Sequence, residues 1–191
     1  MAKISTSDFR TGMVLNLDDE LYSIVDYQHV KPGKGGAFIR TNLKGVVNEK
    51  NIEKTFRSGE KVIEVRVEHQ PYQFLYRDGN LYYFMNQETY AQIPVEEGRV
   101  QKSEFIADGQ ICTLAVDVDN EKVLYAQPPA QVVAKVAQTD PGLKGDTAQG
   151  GSKPATLESG AKVQVPLFIN EGEEIKVDTQ TSEYIERVTT N

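Results

Sequence analysis

Apolar and polar side chains alternate with a period of two along most of this 191-residue chain, and turn-forming residues interrupt the alternation at short intervals. That pattern constrains the fold more than any other feature, because a pleated strand sends successive side chains to opposite faces and buries only every second one. Two runs rich in β-branched and aromatic residues, LYSIVDYQHV (21–30) and AFIRTNLKGVV (37–47), flank the loop KPGKGG. They predict a long hairpin with Lys34 near its tip. Strands of about eight residues, at about 3.3 Å each, carry that tip roughly 25 Å from the base.

The pattern recurs downstream. NIEKTFR and KVIEVRVEH flank the turn SGE, and PYQFLYRDGNLYYFMN turns at Asp78-Gly79-Asn80. GQICTLAVDVDNEKVLYAQ turns at Asp119-Asn120, and VEEGRVQKSEFIADG between these hairpins reads as a short helix. Pro128 and Pro129 cannot continue a ladder and mark a linker. After them VVAKVAQT, AKVQVPLF, EEIKVD and SEYIERV read as four strands, while residues 140–159, rich in Gly, Ser, Thr and Pro, read mostly as loop. Breaks near residues 64 and 128 divide the chain into three expected domains, 1–63, 64–127 and 128–191. Many short strands favour barrels or sandwiches, and domains this small are only marginally stable without docked neighbours.

Composition narrows the class. Hydrophobic content of 39% supports several small cores more readily than one large one. No run approaches the roughly 20 apolar residues of a membrane-spanning helix, the first ten residues have no secretory h-region, and a single cysteine suits a reducing compartment. A cytoplasmic protein with no membrane partner is expected. The net charge of −7 is uneven. Residues 1–63 hold ten basic and eight acidic side chains, 64–127 five and eleven, and 128–191 six and nine. No acid occurs between Asp26 and Glu49, where Lys31, Lys34, Arg40 and Lys44 lie with His29 beside them. A basic hairpin on an acidic body suits local contact with phosphate and opposes indiscriminate binding along a polyanion.

Catalytic constellations are scarce. His29 and His69 share no metal-ligand spacing, no G-x-S-x-G occurs, and Cys112 sits in an apolar strand without an obvious base. PGKGG lacks the P-loop pattern and precedes a strand rather than a helix. Asp117, Asp119 and Glu121 alternate as calcium ligands do, but they straddle a turn and lack the rest of an EF-hand. Asp18-Asp19-Glu20 and residues 171–174 read as acidic turns. No metal, cofactor or catalytic residue is expected. Lys34 stands apart: Gly33 precedes it, Gly35 and Gly36 follow, and Pro32 stiffens the approach. A hairpin turn needs fewer such residues, and a bare backbone would let the amine enter a narrow site or be reached by a modifying enzyme. The residues alone describe an all-β protein that presents a lysine on a basic hairpin, with RNA as the expected partner.

The chain resembles bacterial elongation factor P from end to end. STSDFRTGMVL is similar to the family's opening, HVKPGKGGAFIRTNLK to its modified loop, EKTFRSGEKV to the end of its first domain, and QFLYRDGNLYYFMNQETYAQ to the hairpin of the second. PGLKGDTAQGGSKPATLESGAKVQVPLFINEGEEIKVDT resembles the third-domain signature. The resemblance implies three β-barrels, an SH3-like or KOW-like domain and two OB-folds, in an L that mimics transfer RNA. It implies a monomer that binds the 70S ribosome between the peptidyl and exit sites, beside P-site peptidyl-tRNA, and relieves stalling at consecutive prolines. Lys34 matches the residue altered by a lysine-modifying enzyme and directed at the CCA end. Its neighbours His29, Lys31, Pro32, Gly33, Gly35, Gly36, Arg40 and Lys44 would meet tRNA or ribosomal RNA. Gly145, Asp146 and Thr147 match a loop near messenger RNA in the exit site. A lysine here excludes sugar transfer to arginine. Ser182 stands where the family usually has glycine, which suggests a positive φ, so Ser182 either carries mild strain or marks a different turn. A general single-stranded RNA binder, an enzyme using Lys34 as nucleophile, and the elongation factor P-like paralogue are the alternatives. Acidic OB-like thirds and a bare hairpin tip argue against the first two.

Overall fold

A computed structural model describes residues 2–33, 35–141 and 151–188. The chain separates into two compact units, Met1–Gln70 with Leu114–Tyr125 and Pro71–Thr113 with Ala126–Asn191. No helix among the described residues is long and apolar enough to cross a membrane.

The first sheet uses β1 (Ala2–Ser5), β2 (Val14–Leu17), β3 (Glu20–Val30), β4 (Phe38–Gly45), β5 (Asn51–Arg57) and β6 (Lys61–Val65), ordered β1-β6-β2-β3-β4-β5. Alternate residues of β4 turn inward, so Ile39, Thr41 and Leu43 are buried while Arg40, Asn42 and Lys44 face outward. Ile39 and Leu43 join Phe9, Leu15, Ile24, Phe56 and Val62 in one apolar cluster. Phe9 meets Phe56 edge-on with ring centroids 5.4 Å apart; removing the Phe56 ring would cost about 3–5 kcal/mol. Two buried hydroxyls are satisfied within this core. Thr41 donates to the Lys54 carbonyl at 2.8 Å. Thr6 donates to the Arg57 carbonyl at 3.1 Å and accepts the Gly59 N–H at 3.0 Å. Asp18 and Asp19 form the two-residue turn between β2 and β3, both with positive φ (53° and 67°), as a type I′ hairpin requires.

The second sheet uses β7 (Val67–Asp78), β8 (Leu81–Asn86), β9 (Gln92–Glu96), β10 (Ile111–Asp117) and β11 (Lys122–Gln127), ordered β11-β10-β7-β8-β9. The interruption between β6 and β7 falls at Arg66, whose carbonyl accepts the Val118 N–H at 3.0 Å. The helix expected over residues 95–109 is not formed. Two single 3-10 turns, Glu97–Arg99 and Ser103–Phe105, replace it, separated by Lys102 in the left-handed conformation at φ 51°. One left-handed residue breaks the i→i−4 ladder that an α-helix would need.

The third sheet is a closed barrel of β12 (Gln131–Thr139), β13 (Ser152–Leu157), β14 (Lys162–Pro166), β15 (Glu174–Asp178) and β16 (Glu183–Val188), ordered β12-β13-β14-β16-β15. β13 is a strand that the reading of residues 140–159 as mostly loop did not name. Lys153, Ala155 and Leu157 are buried and alternate with less buried neighbours. Pro154 is tolerated because pairing with β12 begins only at Ala155. The barrel core gathers Val136, Leu157, Val165, Ile175 and Val177, and Phe105 from the second 3-10 turn packs into it.

Candidate nucleic-acid interface

β3 and β4 pair from Tyr22–Gly45 up to Val30–Phe38, and residues 31–37 lie beyond the last rung. The register shifts between Ile24 and Asp26, leaving Val25 as a bulge that is 50% exposed. Lys31, Pro32, Gly33, Gly35 and Gly36 are all exposed, and the Ala37 carbonyl at the loop's end accepts the Ser58 N–H at 3.0 Å. Lys34 lies outside the described residues, as do Gly145, Asp146 and Thr147.

The loop's glycines are not all explained by the turn. Gly35 has φ +134°, a conformation that L side chains rarely adopt. Gly33 and Gly36 have no such φ, and a Cβ added at either would meet nothing within 4 Å. An alanine would fit at both positions. The fold accounts for one glycine of three.

The basic residues do not form one uninterrupted patch. Arg40 and Lys44 share the outward face of β4, each beside an acid from beyond the strand: Arg40 Nε is 3.4 Å from Glu53 Oε1, and Lys44 Nζ is 3.6 Å from Glu49 Oε1. Glu53 was missed as a member of this site because it lies outside the acid-free window in sequence. It sits on β5, opposite Asn42 and diagonal to Arg40. The outward position of Glu53 in NIEKTFR, paired back against β4, is the signal that locates it. Both ion pairs are about half exposed, so each contributes at most about 1 kcal/mol and can be exchanged for a phosphate. Lys31 makes no ion pair with a described residue. His29 lies opposite Ile39, on the other face of the hairpin from Arg40, and its ring meets Tyr27 edge-on at 5.7 Å.

The remaining chemical candidates have local tasks. Burial pushes the Cys112 thiol up to about 12, which holds it protonated and inert at neutral pH. The Asp117 carboxylate closes its own turn, accepting the backbone N–H of Asp119 at 3.2 Å and of Asn120 at 3.3 Å, and the Asn120 side chain at 2.6 Å. His69 Nε2 is 3.0 Å from the Tyr125 hydroxyl. The Tyr22 hydroxyl donates to the Glu20 carboxylate, which raises its pKa. The Glu171 carboxylate accepts the Thr139 N–H at 3.1 Å, and that of Glu173 accepts the Asn170 N–H at 2.9 Å. The hairpin thus ends in an exposed loop and carries two cations in solvent-exposed ion pairs.

Three family models match in order along the chain. Residues 5–62 match the elongation factor P KOW-like domain, 67–125 its OB domain, and 132–187 its C-terminal domain. The chain belongs to the elongation factor P family. Elongation factor P of Salinibacter ruber is 51% identical over 183 residues, covering 96% of this chain and 95% of that protein. The elongation factor P of Azobacteroides pseudotrichonymphae is 48% identical over 184 residues, covering 96% and 98%. Among solved structures, translation initiation factor 5A from Methanococcus jannaschii superposes with a TM-score of 0.52 at 23% identity, over 65% of this chain and 93% of that one; this likeness shows the fold alone. The all-β architecture and the family expected from the sequence both stand, and elongation factor P is a translation factor.

Proposed function

We propose that this member of the elongation factor P family binds the 70S ribosome as a monomer between the peptidyl and exit sites, beside peptidyl-tRNA, and stimulates peptide-bond formation at consecutive prolines. In this reading Lys34, altered by a dedicated lysine-modifying enzyme in the cytoplasm, reaches toward the CCA end of P-site tRNA. The division into domains 1–63, 64–127 and 128–191 belongs to the same proposal, as does a messenger RNA contact by Gly145, Asp146 and Thr147.

The observation that carries the reading is the surplus of glycine around Lys34. Neither backbone conformation nor packing demands glycine at Gly33 or Gly36. Removing side chains from both flanks of one cation is instead what entry into a narrow polyanionic cleft requires. The second support is the distribution of contacts over the arm. Arg40 and Lys44 occupy one face, His29 the other, and Lys31, Pro32 and Gly35 the tip. That arrangement suits a hairpin inserted between RNA elements and gripped from both sides, more than one laid flat against a helix. Proline is a rigid nucleophile with a fixed φ, so a poly-proline peptidyl-tRNA is easily held off its reactive geometry. A factor that orders the tRNA end restores alignment, worth up to several kcal/mol of barrier, without acid–base groups of its own.

The test is in-vitro synthesis of a reporter with three consecutive prolines, using the protein purified from its native host and its Lys34→Ala variant. Relief of the stall by the wild type alone is expected. Equal relief by both proteins would remove Lys34 from the mechanism. Failure of both while both bind ribosomes would overturn the polyproline assignment in favour of the elongation factor P-like paralogue.

A further inference from the structure

The outward face of the β7–β8–β9 sheet carries an aromatic platform to which the proposed function gives no task. Tyr76, Tyr83 and Pro94 stand side by side on the three strands. The tyrosine rings stack with centroids 4.6 Å apart and planes at 18°, and Tyr76 is 49% exposed. The adjacent row on the same face is Asp78, Leu81 and Glu96. The alternate residues of β8, Tyr82 and Phe84, are buried in the core, which places Tyr83 and Leu81 outward.

The two charged residues of that row, Asp78 and Glu96, are both acids. Neither Asp78 nor Glu96 makes an ion pair among the described residues. The neighbouring cation is already engaged: Arg77 places one guanidinium nitrogen 2.7 Å from Glu97 Oε1, and donates another N–H to the Tyr82 hydroxyl at 3.1 Å. Residues 64–127 as a whole hold eleven acids against five bases. A cross-strand tyrosine stack stabilises its own sheet by about 0.5–1 kcal/mol. Sheet stability does not, however, call for carboxylates that make no ion pair among the described residues beside a half-exposed tyrosine ring.

These features select a ligand by chemistry. Nucleic acid stacks on aromatic rings, but its phosphates require cations that this face lacks. A guanidinium fits both parts of the site, because it is planar, stacks on a tyrosine ring while keeping its charge, and offers N–H donors in the fork that a carboxylate accepts. We propose that this face docks an arginine-bearing segment of a basic protein partner, with Tyr76 and Tyr83 as the stacking surface and Asp78 and Glu96 as the charge partners. The proposal does not depend on the role of Lys34.

The experiment titrates the full-length protein with a nine-residue peptide of alternating arginine and glycine, followed by calorimetry and by NMR of the tyrosine rings. The same peptide with lysine in place of arginine is the comparison. Ring signals of Tyr76 and Tyr83 should move with the arginine peptide, and the lysine peptide should bind about threefold or more weakly. Tyr76→Ala should weaken the arginine peptide about fivefold, whereas Tyr76→Phe, which keeps the ring, should bind almost as the wild type. If Tyr76→Ala disturbs folding, Asp78→Asn combined with Glu96→Gln leaves both rings in place and should also lower the affinity. Equal binding of the two peptides, unchanged by these substitutions, would reduce the effect to general attraction by an acidic protein and overturn the proposal. Movement of the same ring signals by a nine-residue oligouridylate, in preference to the arginine peptide, would assign the face to RNA and overturn it equally.

Discussion

Arg40 on β4 and Glu53 on β5 lie 3.4 Å apart, at the point where the hairpin has its only outward-facing arginine. The pair holds one of the arm's cations in balance, so the charge offered to a polyanion is less than residues 27–48 suggest. Glu53→Gln should therefore strengthen association with ribosomes by up to about threefold and steepen its dependence on salt. Lys44→Gln should act in the opposite direction. Filter binding across a salt series measures both; weaker binding by Glu53→Gln would show that the pair positions Arg40 rather than masking it.

Phe105 is 3% exposed and packs among the core residues of the β12–β16 barrel, although it belongs to a 3-10 turn that precedes β10. Phe105→Ala should lower stability by about 3–4 kcal/mol in urea unfolding. Phe168, 59% exposed beneath the Arg187 guanidinium, is the control. Its alanine variant should lose no more than about 1 kcal/mol. Equal losses at the two positions would mean that Phe105 is not the plug its burial implies.

Asp178 accepts backbone N–H groups from Thr181 at 2.9 Å and Gln180 at 2.8 Å, and these bonds hold its carboxyl below the ordinary carboxylate range. A depressed folded-state pKa contributes stability that is present above the unfolded value, about 3.9, and is lost as pH falls through the folded one. Asp178→Ala should be less stable than the wild type at neutral pH. The gap should close as both proteins are acidified below about pH 4. A gap that persisted undiminished at low pH would assign the loss to packing instead of charge.

Ser182 has φ 60°, so of a strained positive φ and a different turn it takes the former. Ser182→Gly should raise the melting temperature, with a gain of no more than about 1 kcal/mol, because glycine adopts this conformation without steric cost. Ser182→Val should lose about 1–2 kcal/mol for the converse reason. A glycine variant less stable than the wild type would show that unfolded-chain entropy outweighs the strain.

The hairpin was legible because its alternation and its turn residues agree, and Asn51–Arg57 was read to the residue for the same reason. β13 was not, because Pro154 and a Gly/Ser/Thr-rich approach mask an alternation carried only by Lys153, Ala155 and Leu157. The segment after β9 lacks the alternation of a strand, and the left-handed Lys102 that rules out a helix there cannot be seen in a list of side chains. At the candidate site, sequence showed which cations are close along the chain and missed Glu53, which is close only through strand pairing. Cross-strand neighbours are set by register, and register is a property of two segments together.

The bulge at Val25 has a mechanical consequence. The last rung of the arm, at Val30, lies five residues beyond it, a lever of about 16 Å. A bulge bends and twists its strand, yet here every paired side chain on either side of it keeps the face that regular pairing would assign. Deleting Val25 would preserve each local contact and straighten the arm, and a change of a few degrees at that pivot would carry the loop off its line by about an ångström. The direction of the loop is thus entrusted to a residue count, at a position whose own side chain is half exposed.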